Sequence, residues 1–372
     1  MRITIKVGSN VLSRVDGSLD VTRMSSLVDQ ISGLMSSGIE VLLVSSGAMA
    51  SGRSELRGMV TRKMDSVEER QLYSAVGQAK LINRYFDLFR EHGIAVGQVL
   101  TMKENFSSRH LYLNQRHCMS VMLQNGVLPI INENDTVSVT ELMFTDNDEL
   151  SGLVSTMMDC DALVILSNID GLYTGNPASP ESELIREVEP GRDLSDYIQS
   201  EKSGFGRGGM LTKSGIAQKV AQEGIPVFIA NGKRDGILTQ LLPVITSLCS
   251  GSLDAVRKSY DAVPFTLFMP GSGSVSSVKK WIAHSEGFSK GSVYLNSGAT
   301  KALLGDEAAS LLPIGITKVD GDFYRHDIIS IHDSDGRRIG VGRSEYDSDE
   351  LRRVAGEHDK KAAIHYDYLY LE

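Results

Sequence analysis

The sequence has few cysteines and no long apolar run. Its three cysteines, Cys118, Cys160 and Cys249, lie far apart and are odd in number. They form neither a disulfide framework nor a CxxC metal site, which suits a reducing compartment. No apolar run approaches the roughly 18 residues of a membrane span, and the N-terminus lacks the apolar core and cleavage pattern of a signal peptide. These absences predict a soluble cytoplasmic protein without a membrane partner.

The chain also lacks an excess of positive charge. Its 38 Lys and Arg residues stand against 47 Asp and Glu residues, which gives a formal net charge of −9. This balance disfavours nonspecific attraction to nucleic acid or to an anionic membrane. The composition is otherwise ordinary for a globular protein, and 372 residues are enough for two domains.

Apolar, strand-like segments alternate with helical segments over the first two-thirds of the chain. The strand-like segments include RITIKVG, EVLLVSSGA, VLPIIN and ALVILSN, and VTRMSSLVDQISGLMSSG has the apolar spacing of a helix. Mostly apolar strands separated by helices are typical of a parallel sheet covered on both faces. The sequence therefore predicts an α/β three-layer sandwich with a mainly parallel central sheet.

The pattern changes after about residue 250. The stretch GSGSVSSVKKW is rich in Gly and Ser, and short strands and turns follow it with few helices. We expect one domain over residues 1–255, a linker over 256–278 and a small, β-rich domain over 279–372, for which the resemblance described below implies a barrel. The last segment carries 13 Lys and Arg against 16 Asp and Glu, and this acidic balance disfavours RNA binding.

Small or polar turns follow four of the apolar strands: GSN at 8–10, SSGA at 45–48, NEND at 132–135 and the stretch from Asn168 onward. Ligands of parallel α/β sheets bind at the carboxyl ends of the strands. Turns of this kind bind phosphate or carboxylate through backbone N–H groups. One such turn is uninformative, but four together favour a nucleotide or phosphate site.

The glycine-rich stretch GFGRGGMLTK at 204–213 is neither a dinucleotide fingerprint nor a Walker A loop. No strand leads into its glycines, and Lys213 follows Thr212 rather than Gly. Two interpretations remain open. The stretch is either a glycine loop that wraps phosphates while Lys213 adds a point charge, or a flexible surface loop.

Lys6 and the two polar clusters NEND and TDND are the other candidate site residues. If the first strand is central, the Lys6 ammonium needs an anionic partner at the strand end, either a phosphate or a carboxylate such as Asp148; otherwise Lys6 is an edge or solvent-face residue. The clusters match no EF-hand or zinc spacing. Their amides and carboxylates suit a small substrate that carries both ammonium and carboxylate groups.

Six segments, in order, closely resemble the glutamate 5-kinase (γ-glutamyl kinase) family of the amino-acid kinase superfamily: IKVGSNVL, LVSSGAMASG, PIINENDTV, TDNDELSG, SNIDGLYTGNP and GRGGMLTK. The C-terminal segments LNSGATKALL, SLLPIGITKVDGDF and DELRRVAG resemble the PUA domain that ends many members. The resemblance covers essentially the whole chain. It implies the amino-acid kinase fold and phosphorylation of the γ-carboxylate of L-glutamate by Mg-ATP. Two alternative functions are less favoured. The segments NEND and TDND argue against a UMP or carbamate kinase. Intact Lys6, Lys213 and Asp148 argue against a catalytically dead nucleotide sensor or RNA-binding regulator.

The resemblance also implies roles for individual residues. Lys6 and Lys213 would neutralise charge on the transferred phosphoryl group, and Asp148 would hold both lysines. Glutamate would be bound by Ser46, Asn132, Asp135 and Asn147. ATP would be bound by Lys6, Gly8, Gly47, Ser167, Asn168, Arg207, Gly208, Gly209, Met210, Leu211, Thr212 and Lys213.

Three residues depart from the family pattern. Asn10 stands where the family often has Ser, Asn168 where it often has Asp, and Arg207 where it often has Thr. These departures affect the details of ATP binding rather than the two lysines. The family's Mg²⁺ is expected to be held by ATP phosphates and water, with no firm protein ligand. Feedback inhibition by L-proline and a homo-oligomer, dimer or tetramer, complete what the resemblance implies.

Overall fold

The computed structural model describes residues 1–107, 109–137, 144, 146–177, 179–194, 210–271, 289–305 and 309–371. The chain divides into two compact units. The sheet unit comprises Met1–Lys103 and Gln115–Ser274, and the C-terminal unit comprises Glu104–Asn114 and Val275–Glu372.

The first eight strands are numbered in chain order, and they form one sheet with the order β3-β4-β2-β1-β5-β7-β8-β6. Their bounds are β1 (Arg2–Val7), β2 (Glu40–Ser45), β3 (Val96–Thr101), β4 (Leu128–Glu133), β5 (Ala162–Ser167), β6 (Glu187–Val188), β7 (Val227–Asn231) and β8 (Phe265–Phe268). Neighbouring strands in the described part of this sheet run parallel, apart from the antiparallel pair β7 and β8. The predicted, mainly parallel sheet is thus confirmed.

The described residues between Ser9 and Lys258 form ten helices. They are α1 (Ser9–Leu12), α2 (Val21–Ser36), α3 (Ala48–Glu55), α4 (Ser66–Glu91), α5 (Glu104–Ser107), α6 (Arg109–Gln124), α7 (Asn147–Met157), α8 (Met210–Gln222), α9 (Ile237–Cys249) and α10 (Leu253–Lys258). Of these, α5 and the first residues of α6 belong to the C-terminal unit. Among the described residues, no helix is long and apolar enough to cross a membrane.

The sheet is covered on both faces, as the apolar strands predict. Val164 and Leu166 of β5 pack in a large cluster with residues of α2 and α9, such as Leu27 and Leu241. Leu163 and Ile165 of the same strand point the other way, into a second cluster that includes residues of α8. Because successive side chains of a strand alternate between faces, a strand buried on both sides must be apolar throughout. The three-layer sandwich is confirmed.

Local sequence explains how α2 begins and ends. The Asp20 side chain accepts a hydrogen bond from the backbone N–H of Arg23 and so caps the first turn. Met24, Leu27, Val28, Ile31 and Leu34 are buried, and their spacing of three or four residues places them on one face. Beyond the helix the chain turns through Gly38, whose φ is +80°.

Two glycines allow α3 and α4 to pack with their backbones in contact. A Cβ atom at Gly52 would lie 1.8 Å from the carbonyl oxygen of Tyr73, and one at Gly77 would lie 1.8 Å from that of Ala48. Neither position tolerates a side chain without a shift of backbone. This contact fixes α4 against the loop that follows β2, which bears on the site described below.

Strand β8 lies within the stretch 256–278 that was expected to link the domains. It pairs with β7 and β6 in the sheet, because Phe265, Leu267 and Phe268 are apolar and fully buried there. Residues 265–268 are therefore part of the sheet and not of a linker.

The C-terminal unit contains a five-stranded sheet with the order β10-β9-β11-β12-β13. Its elements are β9 (Gly291–Leu295), α11 (Ser297–Leu303), β10 (Ile316–Gly321), β11 (Ile328–His332), β12 (Arg338–Arg343), α12 (Ser348–Val354) and β13 (Leu369–Leu371), with short 3₁₀ turns at Pro313–Gly315 and Tyr366–Tyr368. It has its own apolar core, which includes Val293, Ile331 and Leu351. The β-rich second module expected from the sequence is confirmed.

Candidate active site

Two lysines share one buried aspartate at the carboxyl edge of the large sheet. Lys6 lies on β1, between β2 and β5, so its side chain is only 5% exposed. Its Nζ atom lies 2.6 Å from Oδ1 of Asp148, which is in the first turn of α7. Nζ of Lys213, on α8, lies 2.9 Å from the other oxygen, Oδ2. The structure thus brings together the three residues expected to act on the phosphoryl group, and we call them the lysine cluster.

The lysine cluster keeps Asp148 ionised. Burial raises the pKa of this carboxyl group, but the adjacent charges of Lys6 and Lys213 more than offset that effect and lower the pKa to about 2. One carboxylate therefore faces two ammonium groups. The arrangement suits an anion such as a phosphate.

Asp146 is a member of this centre to which the sequence interpretation gave no role. Its Oδ1 atom accepts hydrogen bonds from the backbone N–H groups of Asp148, at 2.9 Å, and Glu149, at 3.2 Å, and so caps α7. Its buried Oδ2 atom has no hydrogen-bond partner in the described part of the chain. Burial, and then the charge of Asp148, raise the pKa of Asp146 to about 6.

A group of amides and a hydroxyl lies beside the lysine cluster. The side-chain Nδ2 of Asn147 lies 2.9 Å from Oδ1 of Asn132, 3.1 Å from Oγ of Ser46 and 3.3 Å from the carbonyl oxygen of Ser45. We call Ser46, Asn132 and Asn147 the amide cluster. Since Asn147 directly precedes Asp148, the two clusters share the start of α7. The N–H donors of the amide cluster can serve a carboxylate.

Asp135, the remaining residue expected to bind glutamate, is paired with an arginine that the sequence interpretation missed. Nε of Arg70, on α4, lies 2.7 Å from Oδ1 of Asp135, and its NH2 nitrogen lies 3.5 Å from Oε2 of Glu133. Asp135 also lines a cavity of about 180 Å³. The cavity is bounded by Ser74, Ala75, Gln78, Ala79, Gln98, Leu100, Glu133, Asn134, Asp135 and Thr136.

Gln78, also missed, connects α4 to the amide cluster. Its Oε1 atom accepts a hydrogen bond of 2.7 Å from Nδ2 of Asn132. Arg70, Ser74 and Gln78 recur every four residues, so they lie on one face of α4. That periodicity of polar residues was the signal available in the sequence.

The glycines expected near the nucleotide lie at strand ends. The backbone N–H of Gly8 donates to the carbonyl oxygen of Leu166 at 3.1 Å, and a Cβ there would lie 3.5 Å from Nζ of Lys6. Gly47, with a φ of +107°, is the N-cap residue of α3, and at this φ glycine is favoured. Ser167 ends β5 and is followed by Asn168.

Part of the expected nucleotide site lies outside the described residues. This applies to Arg207, Gly208 and Gly209, and to the side chain of Leu211. Met210 and Thr212 stand with Lys213 in the first turn of α8. Residues 138–143 and 145, which separate the NEND and TDND clusters, also lie outside.

The residues present provide no closed metal site. Within the ranges that the structure describes, no group of three or more His, Cys, Asp or Glu side chains could hold a metal ion. Both oxygens of Asp148 are engaged by lysines. A divalent cation in this centre would have to take most of its ligands from a bound nucleotide and from water.

Comparison with protein families defines the class. The model of the amino acid kinase family matches residues 1–231, which include both clusters. The model of the PUA domain matches residues 291–366, which run from β9 through α12 to the start of the last 3₁₀ turn. The fold class and the two-module organisation expected from the resemblance are confirmed.

Similarity to individual proteins narrows the class. A glutamate 5-kinase from Bacteroides thetaiotaomicron is 61% identical over 371 residues, which cover 100% of this chain and 98% of that protein. One from Chlorobaculum tepidum is 46% identical and covers 100% of this chain and 97% of its own length. One from Trichlorobacter lovleyi is 40% identical over 95% of this chain and 89% of its own. The chain therefore belongs to the glutamate 5-kinases of the amino acid kinase family.

Proposed function

We propose that this protein transfers the γ-phosphoryl group of ATP to the γ-carboxylate of L-glutamate and so catalyses the first step of proline biosynthesis. The products are γ-glutamyl phosphate and ADP. One observation carries the proposal: the lysine cluster and the amide cluster meet at the start of α7, where Asn147 and Asp148 are adjacent residues. A phosphate site thus adjoins a carboxylate site in a chain that matches glutamate 5-kinases over its whole length.

The reaction needs charge stabilisation and alignment rather than a general base. The γ-carboxylate is already ionised at pH 7. One of its oxygens forms the new bond to the γ-phosphorus, while the bond from that phosphorus to the β,γ-bridging oxygen breaks and ADP leaves. Lys6 and Lys213 stabilise the charge on the transferred group, and Asp148 holds their Nζ atoms in place.

The substrate side recognises an amino acid by its two kinds of charge. Asp135 accepts hydrogen bonds from the α-ammonium group, whereas Ser46, Asn132 and Asn147 donate to carboxylate oxygens. Asn147 already donates within the amide cluster, so substrate oxygens replace some of these acceptors. The buried positions of Asn132 and Ser45 support a fixed geometry.

The nucleotide lies along Gly8, Gly47, Ser167, Asn168 and residues 207–213. Backbone N–H groups at the glycines approach the phosphates closely because no side chain intervenes. ATP enters as its magnesium complex, since the protein offers no metal cage in its described part. Asn168 and Arg207 give this chain its own contacts to the nucleotide.

Regulation, assembly and location belong to the same proposal. L-proline inhibits the enzyme by feedback, the protein is a cytoplasmic homo-oligomer, and the C-terminal domain has a structural or regulatory role rather than an RNA-binding one. Sedimentation velocity with and without proline tests the assembly and whether proline acts on it. We expect a species larger than a monomer whose size distribution changes when proline is added. A monomer contradicts the homo-oligomer, and an unchanged distribution contradicts an effect of proline on assembly.

The activity itself is tested by trapping the acyl phosphate with hydroxylamine. Purified protein, ATP and Mg²⁺ are incubated with L-glutamate, L-aspartate or N-acetyl-L-glutamate, and the hydroxamate is measured. We expect a product with glutamate at a rate well above that with the other two acids. Turnover of another acid without any product from glutamate contradicts the proposal.

A further inference from the structure

Arg70 is a buried cation that lies next to the substrate side without being part of either cluster. Its side chain is 6% exposed, and it faces Asp135 at 2.7 Å and Glu133 at 3.5 Å. A guanidinium group loses much of its hydration when it is buried, so its position depends on paired and correctly oriented acceptors. The side chains of Glu133 and Asp135 are 6% and 18% exposed, which makes the three groups one connected unit.

Glu133 joins this unit to the start of α7. Its Oε1 atom accepts a hydrogen bond of 3.2 Å from the backbone N–H of Phe144. Phe144 is fully buried and lies two residues before the cap residue Asp146. Arg70 therefore contacts Asp135 directly, and through Glu133 it is connected to the backbone of Phe144.

Helix α4 makes a second contact with the loop that carries Asp135. Gln71, the neighbour of Arg70, donates a hydrogen bond of 3.0 Å from Nε2 to the carbonyl oxygen of Thr136. Thr136 in turn donates to Oδ1 of Asn134 at 2.6 Å. The side chain of Asp135 and the backbone of the next residue are thus both attached to one turn of α4.

Helix α4 is itself fixed relative to the amide cluster. Gly52 and Gly77 allow backbone contact between α3 and α4, and α3 begins directly after Ser46 and Gly47. Gln78 of α4 accepts a hydrogen bond from Asn132. Helix α4 therefore contacts both Asp135, the proposed ammonium acceptor, and Asn132 of the amide cluster.

We propose that Arg70 is a positioning residue for substrate recognition. It binds Oδ1 of Asp135 and leaves Oδ2 for the ammonium group of an α-amino acid. Its contact to Glu133 fixes the end of β4, which the loop containing Asp135 follows. This inference rests on the proposed function, since it assigns Asp135 to the amino-acid substrate. Arg70 does not touch the reacting atoms and acts through Asp135.

The first test compares Arg70→Gln, Arg70→Lys and Arg90→Gln by steady-state kinetics. We expect Arg70→Gln to raise the KM for glutamate about 10- to 100-fold, by analogy with residues that orient metal ligands, and to change kcat and the KM for ATP less than about threefold. Lysine reaches one acceptor but lacks the planar fork, so Arg70→Lys should lie between wild type and Arg70→Gln. Arg90, on the same helix and 68% exposed, is the matched control and should behave as wild type.

A double-mutant cycle separates positioning from a general loss of structure. If Arg70 acts through Asp135, then Arg70→Gln should raise the KM for glutamate far less in an Asp135→Asn background than in wild type. Equal fold-changes in both backgrounds contradict the proposal. A matching rise in the KM for ATP also contradicts it.

A double variant keeps the test decisive if the single variant misfolds. If Arg70→Gln folds poorly because two carboxylates are left unpaired, the double variant Arg70→Gln/Glu133→Gln removes the excess charge and should fold while retaining the high KM for glutamate. A wild-type KM in that folded double variant overturns the proposal. Failure of the proposed function is distinguishable, because it shows as absent hydroxamate formation in the wild-type protein, whereas failure of this inference leaves wild-type turnover intact.

Discussion

The lysine cluster and the amide cluster lie side by side, but they are built on different physical principles. In the lysine cluster, ionised groups pair deep in the protein, with side-chain exposures of 5%, 1% and 13% for Lys6, Asp148 and Lys213. In the amide cluster, neutral groups make directional hydrogen bonds around Asn147. Charge acts over several ångströms in a buried site, whereas amides discriminate by geometry. Under the proposed function, the lysine cluster therefore acts in transfer and the amide cluster in recognition.

Removing one lysine should give the largest effect and should fall on transfer. We expect Lys213→Ala to lower kcat by about 10²–10³, the range for loss of one electrostatic contact to a developing anion. The KM for glutamate should change less than about threefold, since Lys213 pairs with Asp148 of the lysine cluster. Initial rates over a matrix of ATP and glutamate concentrations measure both constants.

Lys219→Ala, on the same helix, is the matched control for loss of a lysine from α8. It should retain kcat within about twofold of wild type. If Lys213→Ala instead raises the KM for glutamate and leaves kcat intact, the division of labour between the clusters is wrong.

Removing the ammonium acceptor should give a smaller effect of the opposite kind. We expect Asp135→Ala to raise the KM for glutamate about 10- to 100-fold, the range for a charge-assisted hydrogen bond worth about 1.5–3 kcal/mol. At saturating glutamate, kcat should stay within about threefold of wild type. The exposed Asp261 provides a control, and Asp261→Ala should leave both constants unchanged. A large loss of kcat with an unchanged KM would show that Asp135 acts in transfer.

The sheet and the strand-end residues could be predicted from the sequence because their signals are local. The apolar segment at 162–167 is a buried strand because both of its faces meet helices. Lys6 and the NEND turn could be placed at the carboxyl edge by following each strand to its end. The short strand β8 was not predicted. Its four residues are too few to show a periodic pattern, and it forms by pairing with β7, which lies far away in the sequence.

Arg70 and Gln78 could not be assigned because their partners lie 65 and 54 residues away. Their spacing on α4 shows which residues share a face, but not what that face meets. The rotation of α4 is set by the backbone contact at Gly52 and Gly77, a tertiary contact that periodicity does not reveal. Asp146 was missed for a related reason: its carboxylate is unusual only because α7 buries it beside Asp148.

Asp146 lies at the junction of the two clusters and gives the smallest expected effect, on stability rather than rate. Its pKa in the folded protein, about 6, exceeds the ordinary value of 3.8. Between these values the folded state binds more protons than the unfolded state, so this residue makes stability fall as pH rises from about 4 to 6. At pH 7 the buried, ionised carboxylate therefore lowers the free energy of unfolding.

Asp146→Asn should remove this destabilisation and retain the helix cap, because Asn and Asp are about equally favourable N-cap residues. We expect the free energy of unfolding of the variant, relative to wild type, to increase by about 1–3 kcal/mol between pH 4 and pH 7. Urea denaturation at several pH values measures this difference. Asp65→Asn, at the exposed N-cap of α4, is the matched control and should show no such rise. A flat difference for Asp146→Asn would mean that burial does not raise the pKa of Asp146. The carboxyl group would then be ionised and well solvated over most of this pH range, and the boundary between the two clusters would carry no buried charge.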